Sequence, residues 1–371
     1  MTLINDDLEF IHPDATDDHS WDIELVQRIR QDALVKIGFD PANMSKEETR
    51  FVVSSYYGIQ GTRLQIGNRL SALKKTNQPK SSLEFVFSGM QSTENNVKKI
   101  LAGFSKQQKI GQWAESIPGI GPVLSAGLIA HIDITKAPTV GHIWRFAGLD
   151  PTSKWLGNEG AEKLVTEIIP QRDLRTVASD EQIAQIATLA NKRADTLRTQ
   201  ALNIAKKEES SNITKGDLVK ALAKRPYNAD LKLLCWKIGS SFVPVADKVT
   251  QKGPDIYGKV YKNRKLLEIQ RNENGDNAQL ATEKLPQFRR ETPARAAYRQ
   301  GILPKGEIQN RSQRYAAKLF LAHWHHVAYE LEYGTPPPKP YIIDKGGHAH
   351  YIAPPHWPFD NDRAVCDCNS N

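Results

Sequence analysis

Two neighbouring stretches of this chain repeat apolar side chains at alternating spacings of four and three residues. Val52, Tyr56, Ile59, Arg63, Ile66, Leu70 and Leu73 form the first series, and Leu83, Phe87, Met90, Glu94, Val97, Leu101 and Phe104 form the second. A mean spacing of about 3.5 holds one edge of a helix apolar along its whole length, which is the pattern of a coiled-coil seam. The turn-like residues TNQPKS (76–81) are too few to allow anything but antiparallel neighbours. The sequence therefore predicts an antiparallel helical hairpin, a coiled coil, over 45–108. Two ordinary amphipathic helices laid on a globular core would produce the same spacing. Each series is broken by one charge, Arg63 in the first and Glu94 in the second. A register that sets Leu73 beside Leu83, Leu70 beside Phe87, Ile66 beside Met90 and Tyr56 beside Leu101 also sets Arg63 opposite Glu94. A lone charge in such a seam is costly, whereas a matched pair fixes register. Arg63 and Glu94 are the expected structural pair, within one chain or across a homodimer joined through the coiled coil.

The rest of the chain reads as helical too, so the expected class is mainly α. The length of 371 residues suits two or three modest domains. Residues 1–44 read as an acidic arm followed by a first helix from Trp21 to about Lys36, capped by Ser20. Ser45 with Glu48 three residues on marks the start of the hairpin. Residues 109–338 form the expected second domain, with an insertion at about 161–215 that carries one helix over 180–207. Helical patterning resumes at 218–222 and 230–242. The polar, basic stretch 250–310 shows little periodicity and reads as a long loop. A strong helix over 311–333 is stopped by Gly334 and three prolines, and 339–371 read as an irregular tail rich in His and Pro.

Lys and Arg outnumber Asp and Glu by 50 to 42, for a net charge of +8. That excess suits a polyanion, although many proteins that bind no nucleic acid are as basic. No apolar run approaches membrane-spanning length, the N-terminus is acidic rather than signal-like, and the three cysteines form no disulfide framework. The expected location is cytoplasmic, with no membrane partner.

Residues 113–132 read WAESIPGIGPVLSAGLIAHI. A helix ending at Ile117, a turn through Pro118, Gly119, Ile120 and Gly121, and a new helix opening at Pro122 form a helix–hairpin–helix signature. Proline tolerates the first helical position and glycine opens backbone conformations closed to other residues. Ile120 can anchor the turn while free N–H groups at the new helix face outward toward an anion such as a DNA phosphate. A hairpin that merely joins two helices is the plainer reading.

The motif is followed by HIWRFAGLDP (142–151), KRPYNADLKLLCWKIG (224–239) and YAAKLFLAHWHHVAYELEYGTPP (315–337). In this order, after the heptad hairpin, the blocks resemble the coiled coil and C-terminal transposase domain of the bridge-RNA-guided insertion-sequence transposases, the IS-one-ten family. The resemblance spans roughly 50–340. It implies DNA as partner and a role in DNA transposition or recombination, with a guide RNA or a separate nuclease subunit as further partners. It also exposes departures. The family begins with a RuvC-like domain whose four acidic residues hold two metal ions. Here Asp6, Asp7, Asp14, Asp17 and Asp18 lie in no strand-patterned run, so the expectation is a chain lacking that domain. The family's serine nucleophile precedes a glycine, where this chain has Leu156 before Gly157; Ser153 and Thr152 are the nearest hydroxyls. No catalytic residue is assigned, and an accessory or partial transposase is the leading expectation. A structure-specific repair or junction-binding protein with a similar helix–hairpin–helix is the alternative.

The expected DNA-binding residues are Pro118, Gly119, Ile120 and Gly121 of the turn, with Lys224, Arg225, Arg264, Lys265, Arg289 and Arg290. Tyr257, Tyr261 and Tyr298 are interleaved with the later basic residues as rings for stacking. His323 and His326 share a helical face, and His348, His350, His356, Cys366 and Cys368 crowd the tail. The helix pair lacks a third ligand. The tail's H-x-H and C-x-C spacings permit a zinc site, but C-x-C is tighter than structural zinc usually takes and the end is polar, so no metal and no cofactor are expected.

Overall fold

A computed structural model describes residues 40–152, 155–338 and 352–359. The expected first helix, the acidic arm, Ser153, and the tail residues His348, His350, Cys366 and Cys368 lie outside these. The described residues are mainly helical. Chain order gives α1 (Lys46–Lys75), α2 (Ser81–Lys106), α3 (Lys109–Ser116), α4 (Pro122–His131) and α5 (Val140–Phe146). There follow α6 (Gly157–Ile168), α7 (Asp180–Leu189), α8 (Ala194–Lys207), α9 (Lys215–Ala223) and α10 (Ala229–Ser241). The last are α11 (Tyr257–Glu273), α12 (Ala278–Lys284), α13 (Pro293–Arg299) and α14 (Lys305–Tyr333). The only sheet among the described residues is an antiparallel ribbon of β1 (Val249–Thr250) and β2 (Gly253–Pro254).

Ser45 starts α1, its hydroxyl accepting from the Glu48 N–H at 3.0 Å. Helices α1 and α2 pair along their length. Gln60 and Arg63 reach Glu94, while a Cβ on Gly67 would lie 3.2 Å from the Phe87 ring. Contacts thus advance along α1 as they retreat along α2, so the pair is antiparallel. Near the tip Leu73, Leu83 and Met90 are only half-buried, as a two-helix seam must leave them. At the base Val53, Tyr56, Leu101 and Phe104 are buried together with Val123, Ala126 and Ile129 of α4. The α1–α2 pair and α4 therefore share a core, and position 108 separates no two hydrophobic interiors.

Small residues make α4 the hub. Ser125 lies against Ser105 at a hydroxyl–hydroxyl distance of 2.7 Å, and Gly127 leaves the space that Leu234 of α10 fills. The main core gathers α3, α4, α10, α11 and α14. In it Trp113 stacks on Phe320 at 5.7 Å and Phe242 on Tyr257 at 4.9 Å. Gly334 ends α14 in the left-handed conformation, φ 68°.

Four expectations about elements and their grouping need correction. The single helix over 180–207 is two, because Asn191 turns left-handed (φ 51°) and the Lys192 N–H bonds back to the Ala187 carbonyl. The stretch 250–310 is no long loop. It holds the ribbon, α11, α12 and α13. Helix α14 begins at Lys305, before Arg311, directly after Pro304. Helices α6 to α9 bury their own cluster, including Val165, Ile169, Ile186, Leu197 and Leu218, so the inserted unit runs from 157 to 223 rather than 161–215.

Candidate nucleic-acid interface

The turn between α3 and α4 is built on one left-handed glycine. Gly119 has φ 89°, and a Cβ there would meet the Ser241 carbonyl oxygen at 2.9 Å and the Phe242 ring at 3.3 Å. Ile120 is buried beneath it, and its N–H closes the turn on the Ile117 carbonyl at 3.1 Å. The Ile120 carbonyl accepts from Lys252 Nζ at 2.8 Å. Beside the turn, His356 lies 3.0 Å from the Ser116 hydroxyl and Trp113 Nε1 donates to the Pro355 carbonyl. Ile120 thus anchors the turn in the core, as expected, and Pro118 is buried beside it. Their side chains shape the turn from within the fold.

Gly121 differs from Gly119. Its φ of −119° is open to any residue and a Cβ there would meet nothing within 4 Å. It is the N-cap of α4 without a side-chain cap. Since Pro122 has no N–H and Ser125 bonds back to Gly121, the Val123 and Leu124 N–H groups are the ones lacking an intrahelical acceptor. The helix thus opens at Gly121 and Pro122, past the packed turn.

The second and third sequence blocks come together. Gly148 (φ 64°) lies beneath the Tyr227 ring, and the Asn228 N–H donates to the Phe146 carbonyl at 2.9 Å. Cations rest on rings around this joint. Arg225 lies 4.9 Å over Trp155, Lys232 4.0 Å over Tyr227, and Lys318 4.2 Å over Trp144. Burial works against the Asp150 carboxylate, yet hydrogen bonds from Thr152 and the charges of Arg145 and Lys318 hold its pKa below the usual range. Thr152 spends its hydroxyl on Asp150 at 2.8 Å. Leu156 is the N-cap of α6, facing its cluster. Lys224 and Arg225 are exposed. Trp144, Trp155, Tyr227, Lys232 and Lys318 are members of this joint not singled out from the sequence; alternation of rings with basic residues was the available signal.

The later basic residues do not form one arm. Arg264, Arg271 and Arg311 converge on Glu268, which is fully buried. Arg264 is therefore committed inside the fold, and Lys265 sits 3.3 Å from the Tyr261 hydroxyl. Tyr257, Tyr261 and Tyr298 are buried as core side chains, so they offer no stacking surface, contrary to expectation. Arg289 and Arg290 are exposed on the segment before α13.

Elsewhere, His323 is held between the Tyr257 hydroxyl (2.7 Å) and the Ile352 carbonyl (2.8 Å), and His326 meets Glu330 at 3.1 Å. Among the described residues no three His, Cys, Asp or Glu side chains are placed to hold a metal ion, and no helix is long and apolar enough to cross a membrane. Arg63 and Glu94 form an ion pair within the chain, joined by Gln60 at 3.0 Å.

With this geometry in place, comparison with known proteins adds one finding. Residues 111–177, from α3 through the turn, α4, α5 and α6, match the family model described as Transposase IS116/IS110/IS902 family. The family is the one that the ordered motifs resemble, and the segment is transposase-related. No curated protein and no solved structure matches the chain.

Proposed function

We propose that this chain binds duplex DNA in transposition or recombination, as a cytoplasmic partial transposase or accessory factor of a mobile element. The observation that carries the reading is the transposase match over α3 to α6, in which α4 opens without a side-chain cap. Lys224, Arg225 and Lys232 add exposed cations at the separate joint between α5 and α10. Helix starts and exposed basic side chains recognise the sugar–phosphate backbone, whose charge is independent of sequence. The role assigned to the described residues is backbone binding and assembly. Strand cleavage is assigned to none of them, and a guide RNA or nuclease subunit would supply what they do not.

The test is a salt titration of the full chain on a labelled DNA duplex. Each neutralised phosphate contributes about −0.9 to the slope of log K against log salt. A slope steeper than about −3 supports backbone binding by several cations. No measurable binding at low salt overturns the reading, and clear preference for a four-way junction over duplex transfers it to structure-specific repair proteins.

A further inference from the structure

The opening of α4 faces the outer side of α2 rather than empty solvent. An open groove lies there, lined by Ser92, Asn95, Asn96, Lys98 and Lys99 of α2, with Pro122 as its opposite wall. These α2 residues recur on one side of the helix at intervals of three and four, so they form a continuous polar strip. Lys98 and Lys99 are exposed, and neither has an ion-pair partner among the described contacts. From Asn95 through Ala114 the chain carries Lys98, Lys99, Lys106 and Lys109 and no acidic residue. Helix α4 has none either. The nearest carboxylate on α2, Glu94, is buried and taken by Arg63 and Gln60, and Asp40 caps its own turn through Ala42 and Asn43. The charges of Lys98 and Lys99 are thus offset by no ion pair among the described contacts, which favours a polyanion.

The lining selects among polyanions. Amides, a hydroxyl and ammonium groups supply its polar atoms, while Ala102, the Pro122 ring and the carbon stems of the longer side chains make up its apolar surface. An acidic peptide binds best by seating bulky apolar anchors, and no aromatic or large aliphatic side chain lines this groove to receive one. A phosphodiester backbone needs only spaced cations and hydrogen-bond donors. We propose that this groove binds a DNA phosphodiester backbone, with Lys98 and Lys99 neutralising phosphates and Asn95 and Asn96 donating to backbone oxygens. The hairpin is then part of the DNA-binding surface, and the track continues onto the start of α4. This inference rests on the DNA-binding reading above and extends it to α2.

The experiment compares the full chain with the double variants Lys98→Gln/Lys99→Gln and Lys98→Arg/Lys99→Arg on one DNA duplex across salt. Both side chains are exposed, so circular dichroism and melting should match the parent. The Gln variant should lose roughly tenfold in affinity near 0.1 M salt and its slope should be shallower by about two, while the Arg variant keeps both. A folded Gln variant with the parent's affinity and slope overturns the α2 site while leaving the DNA-binding reading intact. Loss of affinity in the Gln variant without a change of slope overturns it equally, because no phosphate contact would have gone. A parent that binds no duplex fails the earlier reading instead, and this one with it.

Discussion

At the scale of single residues, burial of ionisable groups sets how the chain responds to acid. His323 is buried, accepting from the Tyr257 hydroxyl at one ring nitrogen and donating to the Ile352 carbonyl at the other. Burial, reinforced by the charge of His326 and only partly opposed by the Ile352 carbonyl, pushes its pKa down to about 4 from 6.5. The same cause lowers His131 and His325. A depressed histidine pKa means that the unfolded chain binds the proton more readily than the folded one. The associated stability is therefore complete above about pH 6.5 and is lost as pH falls toward 4, at most about 3 kcal/mol for His323. Denaturant unfolding of the parent should show this loss between pH 7 and 4.5, and His323→Gln should make it smaller by about 2 kcal/mol. An unchanged pH profile in that variant would mean that His323 is not held neutral. Glu94 has the same sense, in a more acidic window. Its hydrogen bonds from Arg63, Gln60 and Tyr56 outweigh burial and lower its pKa, so its contribution persists down to the ordinary carboxylate range.

At the scale of elements, the two glycines of the turn separate shape from contact. Gly119 combines a left-handed backbone with a carbonyl oxygen 2.9 Å from any Cβ, whereas Gly121 has an ordinary backbone and open space. Gly119→Ala should cost about 2 to 4 kcal/mol from strain and overpacking. Gly121→Ala should stay within about 1 kcal/mol, the usual range at an N-cap. Equal melting temperatures for the two variants would contradict the packing described. Both glycines carry the same letter in the motif, so only their surroundings tell them apart. Sequence legibility followed the same rule elsewhere. Helices α1, α2 and α14 place apolar residues inward at regular intervals and were readable. Helix α11 does the reverse in its second half: Glu268 points inward to three arginines, while Leu266, Leu267 and Ile269 are exposed. No apolar periodicity survives that inversion, and so the stretch reads as a loop. The Lys98–Lys99 groove was hidden for another reason. It needs α4 beside α2, and only the tertiary fold supplies that neighbour.

At the scale of the whole molecule, the chain is a continuous helical body with a second, separate interior inserted in it. The body shares side chains from hairpin to α14 through α4, whereas α6 to α9 bury Val165, Ile186, Leu197 and Leu218 among themselves. Within the insert, the loop after α6 is tied to the start of α9: the Lys215 ammonium donates to the Gln171 carbonyl at 2.7 Å and Val177 bridges Thr214. Its two ends meet, because Trp155 Nε1 donates to the Ala223 carbonyl at 2.7 Å and Arg225 lies over the same ring. Adjacent ends make excision cheap, since a short linker closes the gap with little loop entropy. Replacing residues 157–222 by a short Gly/Ser linker should leave the body folded with near-parent melting. The isolated segment 155–224 should be helical but less stable, as a core of that size buries a smaller share of its surface. The decisive readout is DNA affinity of the excised chain. If the DNA track runs over α2 and α4, binding should fall by less than about tenfold, a loss of about 1.4 kcal/mol. A folded, excised chain that no longer binds duplex would put the DNA contact on the insert and remove it from the hairpin.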